Sequence, residues 1–218
     1  MPGNQVKTVR ADYDRLATEY ARRLFRELED KPLDRELLTR FANAVKGRGT
    51  SCDLGCGPGQ VTRFLRDAGA DVFGLDLSPQ MIAQARELNP AIGFREGDML
   101  SLDLDDGALA GITAFYAIVN IAPNSIHRAF HEMYRVLQPG GLLLLAFHVG
   151  DEVIRPQELW GTRISIEFYP LQPDWIVDLL TTAGFELEEV VEREPYALDV
   201  EYQSRRAYVF ARKATAFA

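Results

Sequence analysis

The sequence predicts a single α/β domain of parallel βαβ units preceded by a helical addition. Three observations lead there. From residue 50 onward, short apolar runs alternate with stretches of helical periodicity. The first run leads into a glycine-rich loop, Gly55-Cys56-Gly57-Pro58-Gly59. Each of the first three runs finishes beside an aspartate, at positions 53, 76 and 98.

The elements follow in order. Tyr13, Leu16, Tyr20, Leu24 and Leu28 recur at steps of three and four, predicting a helix over residues 8–28. Pro32 interrupts it, and a second helix with Leu37, Phe41 and Val45 inside begins about Asp34 and ends at Gly47 and Gly49. Thr50 to Leu54 reads as a strand, Gln60 to Ala68 as a helix closed by Gly69, and Asp71 to Leu75 as a second strand. Ser78-Pro79 is an N-cap followed by a first-turn proline, which starts a helix running to about Leu88. Ile92 to Arg95 is a third strand and Ile112 to Val119 a buried fourth. Asn124 or Ser125 should cap the next helix, which stops at Gln138-Pro139-Gly140-Gly141 before a fifth strand, Leu142 to His148. Arg163 to Phe168 is a strand or an excursion. Pro173 to Ala183 is a helix stopped by Gly184, and Phe185 to Val191 with Ala207 to Arg212 can pair antiparallel.

Composition narrows the function classes. The chain has 218 residues, 47% hydrophobic and 26% charged, a globular balance that excludes a disordered or collagenous chain. Acidic residues (32) exceed lysine plus arginine (24), so a nucleic-acid partner is not expected. The longest apolar run, Leu142 to Phe147, falls far short of the roughly 20 residues that span a bilayer, so no membrane partner is expected either. The opening Met1-Pro2-Gly3-Asn4-Gln5 has no signal-peptide pattern, and two cysteines, Cys52 and Cys56, make no disulfide framework; the expectation is a cytoplasmic protein.

The glycine loop lacks the Gly-Lys-Ser/Thr ending of a nucleotide-kinase loop, because Gln60-Val61 follow Gly59. Asp53 stands two residues before the first glycine, where its charge would repel a pyrophosphate and attract a cation. Asp76, 17 residues beyond Gly59, is placed to accept ribose hydroxyls, and Asp98 to accept from an adenine amino group. A nucleoside joined to a sulfonium satisfies all three, and S-adenosylmethionine is such a molecule.

Asp53-Leu54-Gly55-Cys56-Gly57-Pro58-Gly59, Gly74-Leu75-Asp76-Leu77-Ser78, Gly97-Asp98-Met99 and Leu137-Gln138-Pro139-Gly140-Gly141 resemble the successive motifs of class I S-adenosylmethionine-dependent methyltransferases, over about residues 10–213. The resemblance implies a Rossmann-like seven-stranded sheet of order 3-2-1-4-5-7-6 with strand 7 antiparallel. It implies one methyltransferase domain over 1–218, with a helical lid (1–46), a cofactor-binding core (47–150) and a substrate-side segment with the last strands (151–218). By position, Asp53, Gly55, Gly57 and Gly59 would hold the methionine part, Asp76 the ribose, and Asp98 with Met99 the adenine. Cys56, Leu77, Phe115 and Tyr116 would also lie against the cofactor, and Tyr20, in an opening helix similar to that of the small-molecule branch, would cover it or pack in the core.

Methyl transfer from a sulfonium is an in-line displacement that needs alignment and dryness, with a base only where the acceptor must lose a proton. The implied activity is methylation of an O, N or C atom of a small-molecule acceptor. The alternatives are a protein that binds adenosylmethionine without turnover, or a non-methylating enzyme such as a cyclase on the same scaffold. His148, at the end of the fifth strand, is the candidate base; its other reading is local hydrogen bonding that positions a loop. Asn120 could orient an acceptor. Trp160, Trp175, Phe168 and Tyr169 could roof the substrate or belong to the core, and Tyr196 to Tyr202 could form another wall. Arg205-Arg206 beside Tyr202 reads as a solvated strand end or as a site for an acidic acceptor. His127 and His131 lie four apart on one helix with no third ligand nearby, so no metal is expected.

Overall fold

The computed structural model describes residues 2–215, with side chains from Gln5 onward; Met1 and residues 216–218, the ends of the expected domain, lie outside the described residues. Seven strands form one sheet: β1 Ser51–Leu54, β2 Val72–Asp76, β3 Phe94–Glu96, β4 Leu109–Phe115, β5 Leu137–His148, β8 Phe185–Arg193 and β9 Arg206–Lys213. A small ladder, β6 Glu158–Leu159 with β7 Thr162–Arg163, stands apart. The sheet order is β3-β2-β1-β4-β5-β9-β8. Leaving out the small ladder, this is the expected 3-2-1-4-5-7-6, and β9 runs antiparallel to both neighbours.

Helices cover both faces. On one side α5 (Pro123–Val136) and α6 (Pro173–Thr182) bury Phe130, Met133, Ile176 and Leu180 against the sheet. On the other, α2 (Pro32–Val45) and α3 (Gln60–Asp67) bury Phe41, Val45 and Leu65 against Leu142, Leu144 and Phe210. Each such side chain contributes about 1.5–3 kcal/mol by leaving water. The approach of α2 is close: a Cβ on Gly111 of β4 would lie 2.7 Å from both Phe41 and Val45. Leu142 to Phe147 of β5 are buried on both faces, as the unbroken apolar run of a central strand requires.

The first helix, α1 (Pro2–Leu24), crosses the carboxyl ends of β1–β3 and packs on α4 (Pro79–Leu88). Asp14 fixes the crossing, because its Oδ1 accepts from Ser78 Oγ at 2.6 Å while Ser78 Oγ accepts from Met81 N as the α4 cap. Of the expected two-helix lid, only α1 overlies that edge. α2 is a sheet-covering helix that offers its first turn alone.

Several boundaries differ from the sequence reading for local reasons. Leu28 belongs to a separate 3-10 turn, Glu27–Asp30, not to α1. β4 stops at Phe115 instead of Val119, because Tyr116 takes φ +56 and a 3-10 turn, Ile118–Asn120, follows. Neither Asn124 nor Ser125 caps α5; Ala122 precedes Pro123, whose fixed φ starts the helix without a side-chain cap. Residues 163–168 are an excursion apart from Arg163, which ends β7. No helix among the described residues is long and apolar enough to cross a membrane.

Candidate active site

The glycine loop leaves β1 and turns under α1, and a cleft of about 900 Å³ opens between them. Gly57 sits at φ +51, and a Cβ there would meet Tyr20 Cε1 at 3.8 Å, an ordinary van der Waals contact with the helix above. The loop thus presents bare backbone to whatever fills the cleft. Asp76 holds that backbone in place: its Oδ2 accepts from Gly57 N at 2.9 Å and its Oδ1 from Ser78 N at 2.8 Å. Each oxygen keeps a second lone pair for a ligand hydroxyl. Burial, opposed by those N–H donors and reinforced by Asp14, pushes the Asp76 carboxyl up to about 6. Asp98 accepts from Leu100 N at 2.9 Å and lines the same cleft with Met99 and Leu77.

Above the loop, α1 turns one face to the cleft. Gln5, Val6, Val9, Tyr13 and Tyr20 line it. The Tyr13 hydroxyl donates to Asn120 Oδ1 at 3.3 Å, and the Tyr13 and Tyr20 rings meet edge to face at 6.1 Å. Burial pushes both phenols well above their ordinary range, so both stay protonated.

Asp53 is 1% exposed. Its oxygens accept from Thr62 Oγ1 at 2.7 Å and Thr113 Oγ1 at 2.9 Å. Burial, offset in part by those hydroxyls and reinforced by Asp76, pushes it up to about 7. A positively charged ligand beside these two carboxyl groups would favour their charged forms.

A second cavity, of about 1150 Å³, lies on the α2 face of the sheet. It shares Tyr20, Gly55, Gly57, Phe115 and Tyr116 with the first, so the two meet at the loop and the end of β4. Trp160 and Tyr202 supply aromatic walls. Trp160 occupies the β6–β7 turn at φ +51, followed by Gly161 at φ +82, and its ring meets Tyr20 edge to face at 5.8 Å. The excursion carrying it is tied to α1, since Ser165 N donates to Asp12 Oδ2 at 2.6 Å.

The remaining wall is a buried ionic network. Asp34, fully buried on α2, accepts from Tyr116 at 3.0 Å, Tyr208 at 2.8 Å and Arg193 at 3.2 Å. Arg193 also pairs with Glu201. Burial pushes Glu201 up, but Arg193 and the Tyr196 N–H outweigh it and hold the carboxyl down to about 2. Lys31 lies 2.6 Å from Glu27 and 3.8 Å from Glu201. Burial, then Arg206 and Lys31, depress the half-buried His148 to about 3. An imidazole so depressed is neutral at physiological pH and a weak base, which favours the positioning reading of His148.

Nine of the residues singled out for the cofactor line the first cleft: Tyr20, Gly55, Gly57, Asp76, Leu77, Asp98, Met99, Phe115 and Tyr116. Asp53 and Cys56 line the second cavity, and Gly59 lines neither, serving as the left-handed N-cap of α3. Asn120 faces the first cleft rather than the second. Trp160 roofs the second cavity, whereas Trp175, Phe168 and Tyr169 pack on the core. Val200 to Tyr202 do form a wall. Arg205 is an exposed strand-end residue paired with Glu192, but its neighbour Arg206 is 2% exposed and lines the second cavity. His127 and His131 are exposed on α5. Sequence reasoning passed over Tyr13, although its spacing of seven from Tyr20 puts both on one helical face. It also passed over Lys31 and Ser204, for which no local signal exists, and named Glu201 only within the Tyr196 to Tyr202 wall.

Comparison with known proteins agrees with this geometry. Residues 52–141 match the profile of a methyltransferase domain. A malonyl-[acyl-carrier protein] O-methyltransferase of Enterobacter lignolyticus is 31% identical over 162 residues, 73% of this chain and 61% of that protein. A demethylmenaquinone methyltransferase of Thermus thermophilus is 38% identical over 99 residues, 43% of this chain and 44% of that protein. The chain therefore spans less than two thirds of the length of these curated relatives. Among solved structures, a DhpI–SAH complex superposes with TM-score 0.75 at 20% identity, over 98% of this chain and 99% of the other, a likeness of fold.

Proposed function

Because this chain belongs to the class I S-adenosylmethionine-dependent methyltransferases, we propose that it methylates an O, N or C atom of a small-molecule acceptor held in the second cavity. The observation that carries the reading is the junction: the two cavities share a wall at Gly55, Gly57, Phe115 and Tyr116, so their occupants face one another there. Bound in the first cleft, S-adenosylmethionine supplies a methyl group already activated on a positively charged sulfur.

This chain's residues do the holding. Asp76 offers two carboxylate oxygens to the ribose, Asp98 and the Met99 backbone meet the adenine, and the bare backbone at Gly55 and Gly57 admits the methionine part. Asp53, beneath the loop, adds negative potential for the cation. Tyr13 and Tyr20 on α1 close the cleft from above and keep water out, which preserves alignment for an in-line displacement. Trp160 and Tyr202 give the acceptor flat apolar walls. One relative is named for a malonyl-carrier acceptor and another for a quinone, so acceptor choice falls to the second cavity. Free buried thiols at Cys52 and Cys56 fit a reducing compartment, the cytoplasm.

The test is calorimetry with S-adenosylmethionine and S-adenosylhomocysteine, followed by incubation with methyl-labelled cofactor and small-metabolite extracts. Saturable heat and acceptor-dependent S-adenosylhomocysteine are expected. No heat with either nucleoside would overturn the reading, and heat without product across the extracts would favour a binding protein.

A further inference from the structure

The second cavity reaches the edge where β5 meets β9. His148 stands directly opposite Arg206 in that antiparallel ladder, so both side chains leave the same face, and both line the cavity. Ser204 links them. Its Oγ accepts a hydrogen bond from Arg206 Nη1 and lies 2.8 Å from His148 Nδ1. A guanidinium has no lone pair to offer, so among the described contacts Nδ1 is the acceptor left for the Ser204 hydroxyl hydrogen. With Nδ1 accepting, the neutral ring carries its proton on Nε2.

Around this edge the negative oxygens are already engaged. Glu201 accepts from Arg193 and from Tyr196 N and lies 3.5 Å from Arg206. Glu27 accepts from Lys31 Nζ and Gln60 Nε2, and Asp34 from two phenols and Arg193. Donors remain. Arg206 Nε is buried without a partner, as is the acceptor Gln60 Oε1 of the same cavity, while the hydrogen bond described for His148 uses Nδ1 and leaves Nε2 for a ligand. The charged groups acting on His148 are Arg206, Lys31 and Arg193 against Glu201, and the rings of Tyr116 and Tyr202 pack on it at 5.3 and 6.1 Å. Four carboxylates line the cavity as a whole, Glu27, Asp34, Asp53 and Glu201, but the groups that act on His148 itself are three cations and one anion, so a donor at that ring favours a negatively charged acceptor atom.

We propose that the acceptor enters this cavity as an oxyanion, a carboxylate or an ionised enol or phenol oxygen, and that His148 Nε2–H donates a hydrogen bond to it. This deepens, and rests on, the methyl-transfer reading above. A lone pair on the acceptor oxygen forms the new O–CH3 bond. The electrons of the S–CH3 bond stay with sulfur, which becomes a neutral thioether, and no proton is released. The oxygen arrives already ionised, so His148 positions it and removes nothing.

The first test needs no turnover. Protein with 15N-labelled histidine, free of cofactor, is followed by NMR from about pH 5 to 8, with His148→Gln assigning the ring among three histidines. The expected spectrum shows Nε2 protonated and Nδ1 bare throughout. Benzoate, a flat carboxylate suited to the aromatic walls, should shift those resonances while benzylamine does not. A ring protonated on Nδ1, a ring titrating near its ordinary 6.5, or a response to benzylamine in preference to benzoate would overturn the assignment. With cofactor and an aromatic carboxylate, phenol and amine panel, oxygen acceptors should turn over as their own ionisation increases. His148→Leu should lose about 10- to 100-fold in kcat/KM, the range of a lost charge-assisted hydrogen bond, while His148→Gln, which keeps an N–H donor, should lose less than tenfold. Equal losses in both variants with a protein limb near pH 6.5 would return His148 to the role of base. Calorimetry with S-adenosylmethionine on the same samples separates the two failures: no heat defeats the methyl-transfer reading, whereas normal heat with the wrong tautomer defeats this inference alone.

Discussion

The cleft under α1 and the cavity beneath Trp160 share a wall but are made of different material. The first is lined by the glycine loop, α1, the ends of β2, β3 and β4 and the turn after β4, and the polar groups at its loop are backbone or carboxylates bonded to backbone. The second draws its walls from α1, the turn before α2, β5, the β6–β7 turn and residues 200–206, and its polar groups are side chains bonded to other side chains. A site set by backbone persists as long as its strands pair. One set by a side-chain network can be remade by a few substitutions, which suits a family that keeps its cofactor and changes its acceptor.

The sharpest way to separate the two is to break the network. Asp34→Ala would leave Arg193 with Glu201 as its one carboxylate partner among the described residues and remove the acceptor shared by Tyr116 and Tyr208. Breaking a buried pair from one side costs about 3–5 kcal/mol, and urea unfolding should register a loss near the lower figure because Glu201 remains. Cofactor affinity, measured on the folded variant, should hold. A parallel loss of cofactor binding would mean that the cavities are one energetic unit. The converse change is Asp76→Ala, which should raise the cofactor dissociation constant about 10- to 100-fold through roughly 1.5–3 kcal/mol of lost charged hydrogen bonds. An unchanged constant by calorimetry would remove Asp76 from the site.

Legibility in the sequence divides along the same line. The succession of β1 to β5 along the chain and the positions of Asp76, Asp98 and Gly57 could be read because each is marked by residues within a few places, whereas the sheet order came from the family resemblance. His148 was visible only as a histidine at a strand end. That it faces Arg206 depends on a β5–β9 register between residues 58 positions apart, and that it bonds Ser204 depends on the loop entering β9. Arg206 itself looked like a solvated strand end, since local sequence does not show that Glu201 and Ser204 fold back over it. Tyr116 was read within a continuous strand because a left-handed tyrosine has no pattern; the Asp34 and Tyr208 hydroxyl contacts that hold it come from α2 and β9.

Acid–base behaviour should also split the regions. Asp53, raised to about 7 mainly by burial, and Asp76, raised to about 6, are protonated more readily folded than unfolded. Their contribution therefore favours the fold at low pH and is lost as pH rises from about 4 to 7. His148 runs the other way. Depressed to about 3, it favours the fold above its ordinary 6.5 and loses that contribution as pH falls toward 3. Asp53→Asn should accordingly flatten the decline between pH 5 and 7.5 in denaturant titrations without cofactor. An unaltered slope would show that Asp53 stays ionised between its two threonines.

The smallest expected effect concerns Trp160, where turn and roof can be uncoupled. A tryptophan at φ +51 carries about 1–2 kcal/mol of backbone strain that asparagine tolerates better. Its ring contact with Tyr20 and its stacking over Arg23 at 5.5 Å return about 0.5–1.5 kcal/mol. Trp160→Asn should therefore leave unfolding stability nearly unchanged while raising the acceptor KM several-fold, with the cofactor dissociation constant steady. A rise in the cofactor constant instead would place Trp160, through Tyr20, in the lid over the first cleft, and the boundary between the two regions would move to the far side of that ring pair.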